Sequence, residues 1–222
     1  MTEAKYIALL AAPPLILGTG YVAFRQLVAH FGFKLGYLSS FLFYWIVWCL
    51  LLPWWVLGAG GMFQLFREGS SRFGQPAAVG LILLVLPCVL GYGYAFPRAI
   101  RHADVLIVVL SAALALTNGT LEELLWRGTY LKAFSGSWLL GYVYPSIGFA
   151  AWHFAPQTVA PNRAPGGSLS FVIVAGLAGL MWGWTARSSS SILWPAIFHV
   201  LFDFSGLGAR IYFSAPSRPQ DA

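Results

Sequence analysis

Glu122, Glu123, Arg127, His153, His199 and Asp203 are the side chains of this sequence whose types and spacing could do chemistry together. Residues 121–128 read LEELLWRG and follow an uncharged run, VLIVVLSAALAL, at 105–116. The whole chain has only seven acidic residues, so two in succession are a local event. A carboxylate and an imidazole beside a water can turn that water into a nucleophile. A second imidazole with a hydrogen-bonding partner can stabilise the oxyanion that forms on an attacked carbonyl. Those are the parts of a hydrolase that uses no Ser or Cys nucleophile.

Spacing assigns the groups to faces. On a helix Glu123 and Arg127 share a face in the favourable acid-first order and can pair. Glu122 points about 100° away, so it stays available while Glu123 anchors the arginine. His199 and Asp203 also share a face. His153 closes its own segment, FAAWHFAP, just ahead of Pro156. Taken singly, each feature has a structural reading: a histidine that donates between helices, or a buried ion pair that sets packing. Their convergence in the second half of the chain favours a catalytic set.

The elements that must position these groups are membrane helices. The chain is 222 residues long, 59% hydrophobic and 9% charged, with mean hydropathy +0.73. A soluble domain is nearer a quarter charged, so composition points to an all-α, polytopic transmembrane bundle of about seven to eight helices, forming one domain over residues 1–222. Seven spans are expected, at about 6–24, 36–59, 77–97, 105–131, 137–155, 168–186 and 189–208. The N-terminal residues read as the first span, kinked at Pro13-Pro14, and not as a cleavable signal. Thr120-x-x-Glu123 fits a capping box that would break the fourth span; one continuous helix is preferred. Each charge near the bilayer centre costs about 2.5–3.5 kcal/mol, so deep acids survive only facing the bundle interior, a partner or a wet cavity.

The net charge of +6 does not imply nucleic acid, because the basic residues stand singly between apolar runs, as loop charges near head groups do. Counting them on alternating sides, with Arg210 and Arg218 on the richer side, weakly favours a C-terminus inside. Cys49 and Cys88 lie in apolar runs and form no disulfide framework. Ala175, Gly179 and Gly183 recur at four-residue spacing, a face for close internal packing or, alternatively, for a homodimer.

Three ordered motifs carry a resemblance. Glu122-Glu123-x-x-x-Arg127-Gly128, Phe149-x-x-x-His153 and His199-x-x-x-Asp203 resemble the signature of the CAAX prenyl endopeptidase-like (CPBP, or ABI) intramembrane proteases. The stretch RSSSSILWPAIFH at 187–199 is similar to the family's approach to its last motif histidine. The likeness covers about 105–208. It implies Glu122 as the base that activates water, His153 as the group that holds it, and His199 with Asp203 on the oxyanion side. Glu123, Arg127 and Phe149 would support the site. The last motif position is often Asn, and Asp203 offers only acceptors when ionised. As an acid it would orient and charge His199.

Glu122, His153, His199 and Asp203 are also N and O donors that a zinc ion could use. No His-Glu-x-x-His pattern occurs, and the resemblance favours a glutamate mechanism without metal or other cofactor. It further implies membrane lipids as surroundings, a membrane-anchored or lipidated peptide as substrate, and a multi-pass protein of a bacterial inner membrane. Two other classes stay open: a proton-coupled transporter, against which the absence of matching polar positions in the first half counts, and a non-catalytic membrane scaffold or immunity protein on the same fold.

Overall fold

The computed structural model describes residues 1–67 and 69–213. Arg218, part of the orientation count, lies outside them. The described chain is all-helical, a polytopic bundle in which five helices are long and apolar enough to cross a membrane. They are α1 (Glu3–Phe31), α2 (Phe33–Leu65), α3 (Ala77–Ile100), α4 (Val105–Ala133) and, after two shorter helices, α7 (Gly167–Ser189). Those two are α5 (139–152) and α6 (Phe154–Gln157), followed later by α8 (Leu193–Ser205) and the short α9 (Arg210–Phe213).

Local chemistry sets several boundaries. Gly32, at φ 77°, makes the turn between α1 and α2, a conformation that costs glycine little. Helix α1 runs unbroken through Pro13-Pro14. Asp104 caps α4 by accepting from the Ile107 amide at 2.8 Å, which satisfies one of the free N–H groups of the first turn. Thr120 caps nothing: α4 passes through it without a break, as the continuous-helix reading expects.

Two of the seven expected spans are corrected. The segment at 137–155 is no full span, because the chain turns at His153, and the α5 helix stops at Trp152. The segment at 189–208 becomes the 13-residue α8, held short by a left-handed turn at Ser190 (φ 60°) before it and a turn at Gly206 after it. At about 1.5 Å per residue such a helix covers about 20 Å, against about 30 Å of hydrocarbon.

The core beside the site is aromatic. Phe24, Tyr44, Trp126, Phe149 and Trp152 are all buried in one cluster that joins α1, α2, α4 and α5. Small residues let the helices close on it. A Cβ on Gly119 would lie 2.8 Å from the Val200 nitrogen, so glycine is what allows α8 to lie against α4. A Cβ on Gly179 would meet Phe149 at 2.9 Å and Arg127 at 3.0 Å, and one on Gly183 would meet Tyr142 at 3.0 Å. Ala175 is buried as well. The small-residue face of α7 thus packs within the chain, against α4 and α5.

Candidate active site

The backbone changes pitch where the motif begins. After Glu123, α4 passes into a π turn at Leu124–Thr129, and the Thr129 hydroxyl donates to the Leu124 carbonyl at 2.8 Å. Single π turns inside α-helices concentrate at functional sites. This one leaves Glu122, Glu123 and Arg127 buried, at 1%, 0% and 3% exposure.

The two glutamates face different partners. Glu122 Oε1 accepts from the Tyr44 hydroxyl at 2.9 Å and from Trp152 Nε1 at 3.0 Å. Tyr44 is itself fixed: Trp126 Nε1 donates to its oxygen at 2.7 Å, and its ring stacks on Trp152 with centroids 3.7 Å apart. Glu122 Oε2 accepts from Asn118 Nδ2 at 3.1 Å and lies 3.5 Å from His199 Nε2. Charge-assisted bonds of this kind hold a carboxylate at a set angle and offset its desolvation. Glu123 turns inward. Its Oε1 lies 2.9 Å from Arg127 Nη1, in an ion pair that lacks hydrogen-bond alignment, and 2.9 Å from His199 Nδ1. The Arg127 guanidinium also sits 4.0 Å over the Phe149 ring, where the ring face attracts a cation.

His199 therefore sits among three carboxylates. Nδ1 meets Glu123, and Nε2 lies 3.5 Å from both Glu122 Oε2 and Asp203 Oδ1. Its ring stacks on Trp182, centroids 4.4 Å apart. The closest orienting carboxylate is thus Glu123 and not Asp203. The sequence reading pairs Glu123 with Arg127 as a support of the site; the structure has that pair and adds His199 to it. The physical cause is the approach of α8 to α4 at Gly119. His153 stands across from this cluster, half-buried, with Nδ1 2.7 Å from the Phe149 carbonyl. A carbonyl only accepts, so Nδ1 carries the hydrogen and Nε2 of the neutral ring is left as an acceptor.

A cavity of about 400 Å³ joins these groups. Glu122 from α4, His153 from the end of α5 and Asp203 from α8 all line it, together with Asn118. Its apolar wall includes Tyr37, Phe41, Trp45, Trp152 and Phe171. The volume falls in the range of small-molecule sites. His199, Glu123 and Arg127 lie behind this lining, and Phe149 packs between His153 and His199 at ring distances of 4.6 and 5.9 Å.

The residues do not fit a zinc ion. Both oxygens of Glu122 already take neutral N–H or O–H donors, His199 Nδ1 is engaged by Glu123, and the amide hydrogens of Asn118 meet both Glu122 and Asp203. Among the described residues no group of three or more His, Cys, Asp or Glu is arranged to hold a metal.

Asn118, Tyr44 and Trp152 are the site residues that sequence reasoning missed. Asn118 carried a usable signal, because it precedes Glu122 by one helical turn and shares its face. Trp152 sits next to His153 but is one of ten tryptophans, and nothing marks Tyr44 among the aromatic residues of α2.

A family model, type II CAAX prenyl endopeptidase Rce1-like, matches residues 104–205. That stretch contains all three motifs. Over that stretch, a little under half of the chain, the protein is similar to this family. A search of curated proteins and of solved structures finds no significant match. The match supports a CAAX-protease-like enzyme and the five apolar helices an integral membrane protein, with the motif residues on α4, just after α5, and on α8.

Proposed function

We propose that the protein is an intramembrane endopeptidase that hydrolyses a peptide bond in a membrane-tethered substrate, with Glu122 as general base and no metal. The observation that carries this reading is that Glu122, His153 and Asp203, from three helices, line one cavity.

In this mechanism Oε1 of Glu122 is held by Tyr44 and Trp152, and Oε2 is the working oxygen. It takes a proton from water in the cavity. His153 Nε2 accepts the other hydrogen of that water and aims the lone pair at the scissile carbonyl. The hydroxide forms the new C–O bond, and the carbonyl π electrons move to oxygen. His199, charged by its three carboxylates, lies behind the Asp203 side of the cavity, where its positive charge favours that oxyanion. Collapse breaks the C–N bond, and the proton on Glu122 passes to the leaving amine. Glu123 and Arg127 hold His199 from behind.

The aromatic wall suits a lipid or apolar segment beside the scissile bond. A lipidated C-terminus, a transmembrane tail and a peptide precursor all fit that chemistry, in a bacterial inner membrane as the resemblance implies. The test uses the protein in liposomes with quenched fluorescent peptides, one carrying a farnesylated cysteine and one an apolar helical tail. Glu122→Gln, His153→Ala and His199→Ala are each expected to abolish cleavage while expression persists, and cleavage by the parent chain is expected to survive exhaustive chelation. Cleavage that persists in Glu122→Gln refutes the base assignment. A biological effect that persists in all three variants establishes the scaffold reading instead. Asp203→Asn separates charge from shape: wild-type turnover across pH in that variant removes the charging role of Asp203.

A further inference from the structure

Asn118 connects two carboxylates that face one imidazole. Its Nδ2 lies 3.1 Å from Glu122 Oε2 and 2.8 Å from Asp203 Oδ2, while its Oδ1 accepts from Trp45 Nε1 at 2.8 Å. The assignment of oxygen and nitrogen in this amide is fixed by its partners. Indole N–H is only a donor, and ionised carboxylates are only acceptors, so every bond would be lost if the amide were turned over. Both amide hydrogens are therefore spent on the two acids. Asn118 and Glu122 lie on α4, whereas Asp203 lies on α8 and Trp45 on α2.

Two acids that both approach His199 Nε2 to 3.5 Å repel each other unless donors lie between them. His199 supplies one such donor. Asn118 supplies the other, on the cavity side, since it lines the cavity and His199 does not. The amide thereby holds Glu122 Oε2 at the cavity wall, which both residues line.

We infer that Asn118 is a positioning residue: its amide ties Glu122 to Asp203 across the α4–α8 contact and aims Glu122 Oε2 into the cavity. The inference rests on the proposed role of Glu122 for its catalytic meaning. The tie itself stands on the geometry alone.

The arrangement makes a distinctive exchange testable. In Asn118→Asp three carboxylates meet with no amide between them. Adding Asp203→Asn restores one amide and two acids, with the donor now on α8. In liposomes, with the farnesylated quenched peptide as probe, Asn118→Ala is expected to lower kcat about tenfold with KM changed less than twofold, because a merely structural lesion would not sort the two constants. Asn118→Asp is expected to fall further. The exchanged pair, Asn118→Asp with Asp203→Asn, is expected to recover at least tenfold over Asn118→Asp. Wild-type kcat in Asn118→Ala overturns the inference, as does an exchanged pair no better than Asn118→Asp.

A second measurement decides the tie whether or not the probe is cut. Thermal unfolding of Asn118→Ala, Asp203→Ala and the double variant forms a cycle. A double variant whose midpoint falls by less than the two single drops combined supports the tie. Strict additivity overturns it. Wild-type turnover in Glu122→Gln would end the catalytic reading of Glu122 separately, and the cycle would still rule on Asn118.

Discussion

Glu122 and Glu123 are chemically identical neighbours on one helix, and the molecule puts them to opposite uses. Around Glu122 the hydrogen-bond partners are neutral donors, Tyr44, Trp152 and Asn118, with the His199 ring nitrogen farther off at 3.5 Å, and one side opens on the cavity. Around Glu123 the partners are Arg127 and His199, the carboxylate does not line the cavity, and Oε2 has no hydrogen-bond partner among the described residues. Neutral donors orient a carboxylate without saturating its charge, so it stays able to take a proton. A buried counter-ion consumes the charge and turns the group into a fastener. The difference teaches that the two acids are told apart by the polarity of their partners and their access to space, not by their depth, and on the proposed mechanism that singles out Glu122.

The sharpest way to break that comparison is to neutralise each acid in turn. Glu122→Gln keeps the shape and an acceptor for Tyr44 and Trp152. Turnover is expected to fall by about 10²–10⁴, the usual contribution of a general base, while the unfolding midpoint stays close to the parent. Glu123→Gln is expected to do the reverse in kind. It leaves Arg127 buried without a counter-charge and should destabilise the fold by about 3–5 kcal/mol, read as lost expression and a lowered unfolding midpoint. An unfolded Glu122→Gln beside a stable Glu123→Gln would invert the comparison.

Smaller changes sharpen it. Tyr44→Phe removes one of the two donors to Glu122 Oε1, a bond to a charged acceptor worth about 1.5–3 kcal/mol. We expect kcat to drop about tenfold with KM held, measured on the same peptide probe. Gly179→Ala presses on the other side, placing a methyl 3.0 Å from the Arg127 guanidinium and 2.9 Å from Phe149. Overpacking of this kind costs about 1–3 kcal/mol, and the lower end is expected because only one carbon is added. Its effect should appear in thermal unfolding before it appears in turnover.

The legibility of the sequence divided along the same line. Charges inside apolar runs are conspicuous, so Glu122, Glu123, Arg127, His199 and Asp203 stood out, and helical spacing paired Glu123 with Arg127 and His199 with Asp203 as the structure has them. What stayed hidden was neutral or geometric. Tyr44 donates to Glu122 from 78 positions away, and no periodicity within α2 reports on a partner in α4. The link from Glu123 to His199 depends on how closely α8 approaches α4, which Gly119 permits but does not announce. Hydropathy marked the apolar stretches at 137–155 and 189–208 but not the turns at His153 and Ser190 that shorten them, because a backbone turn leaves composition unchanged.

The π turn at Leu124–Thr129 also decides where this helix tolerates a change of length. A widened turn holds about one residue more than a regular one. Losing one residue there would let the backbone close to a regular turn, and the helix beyond would keep its faces. Losing one from the regular stretch Val105–Glu123 would instead swing everything beyond it by about 100° around the axis.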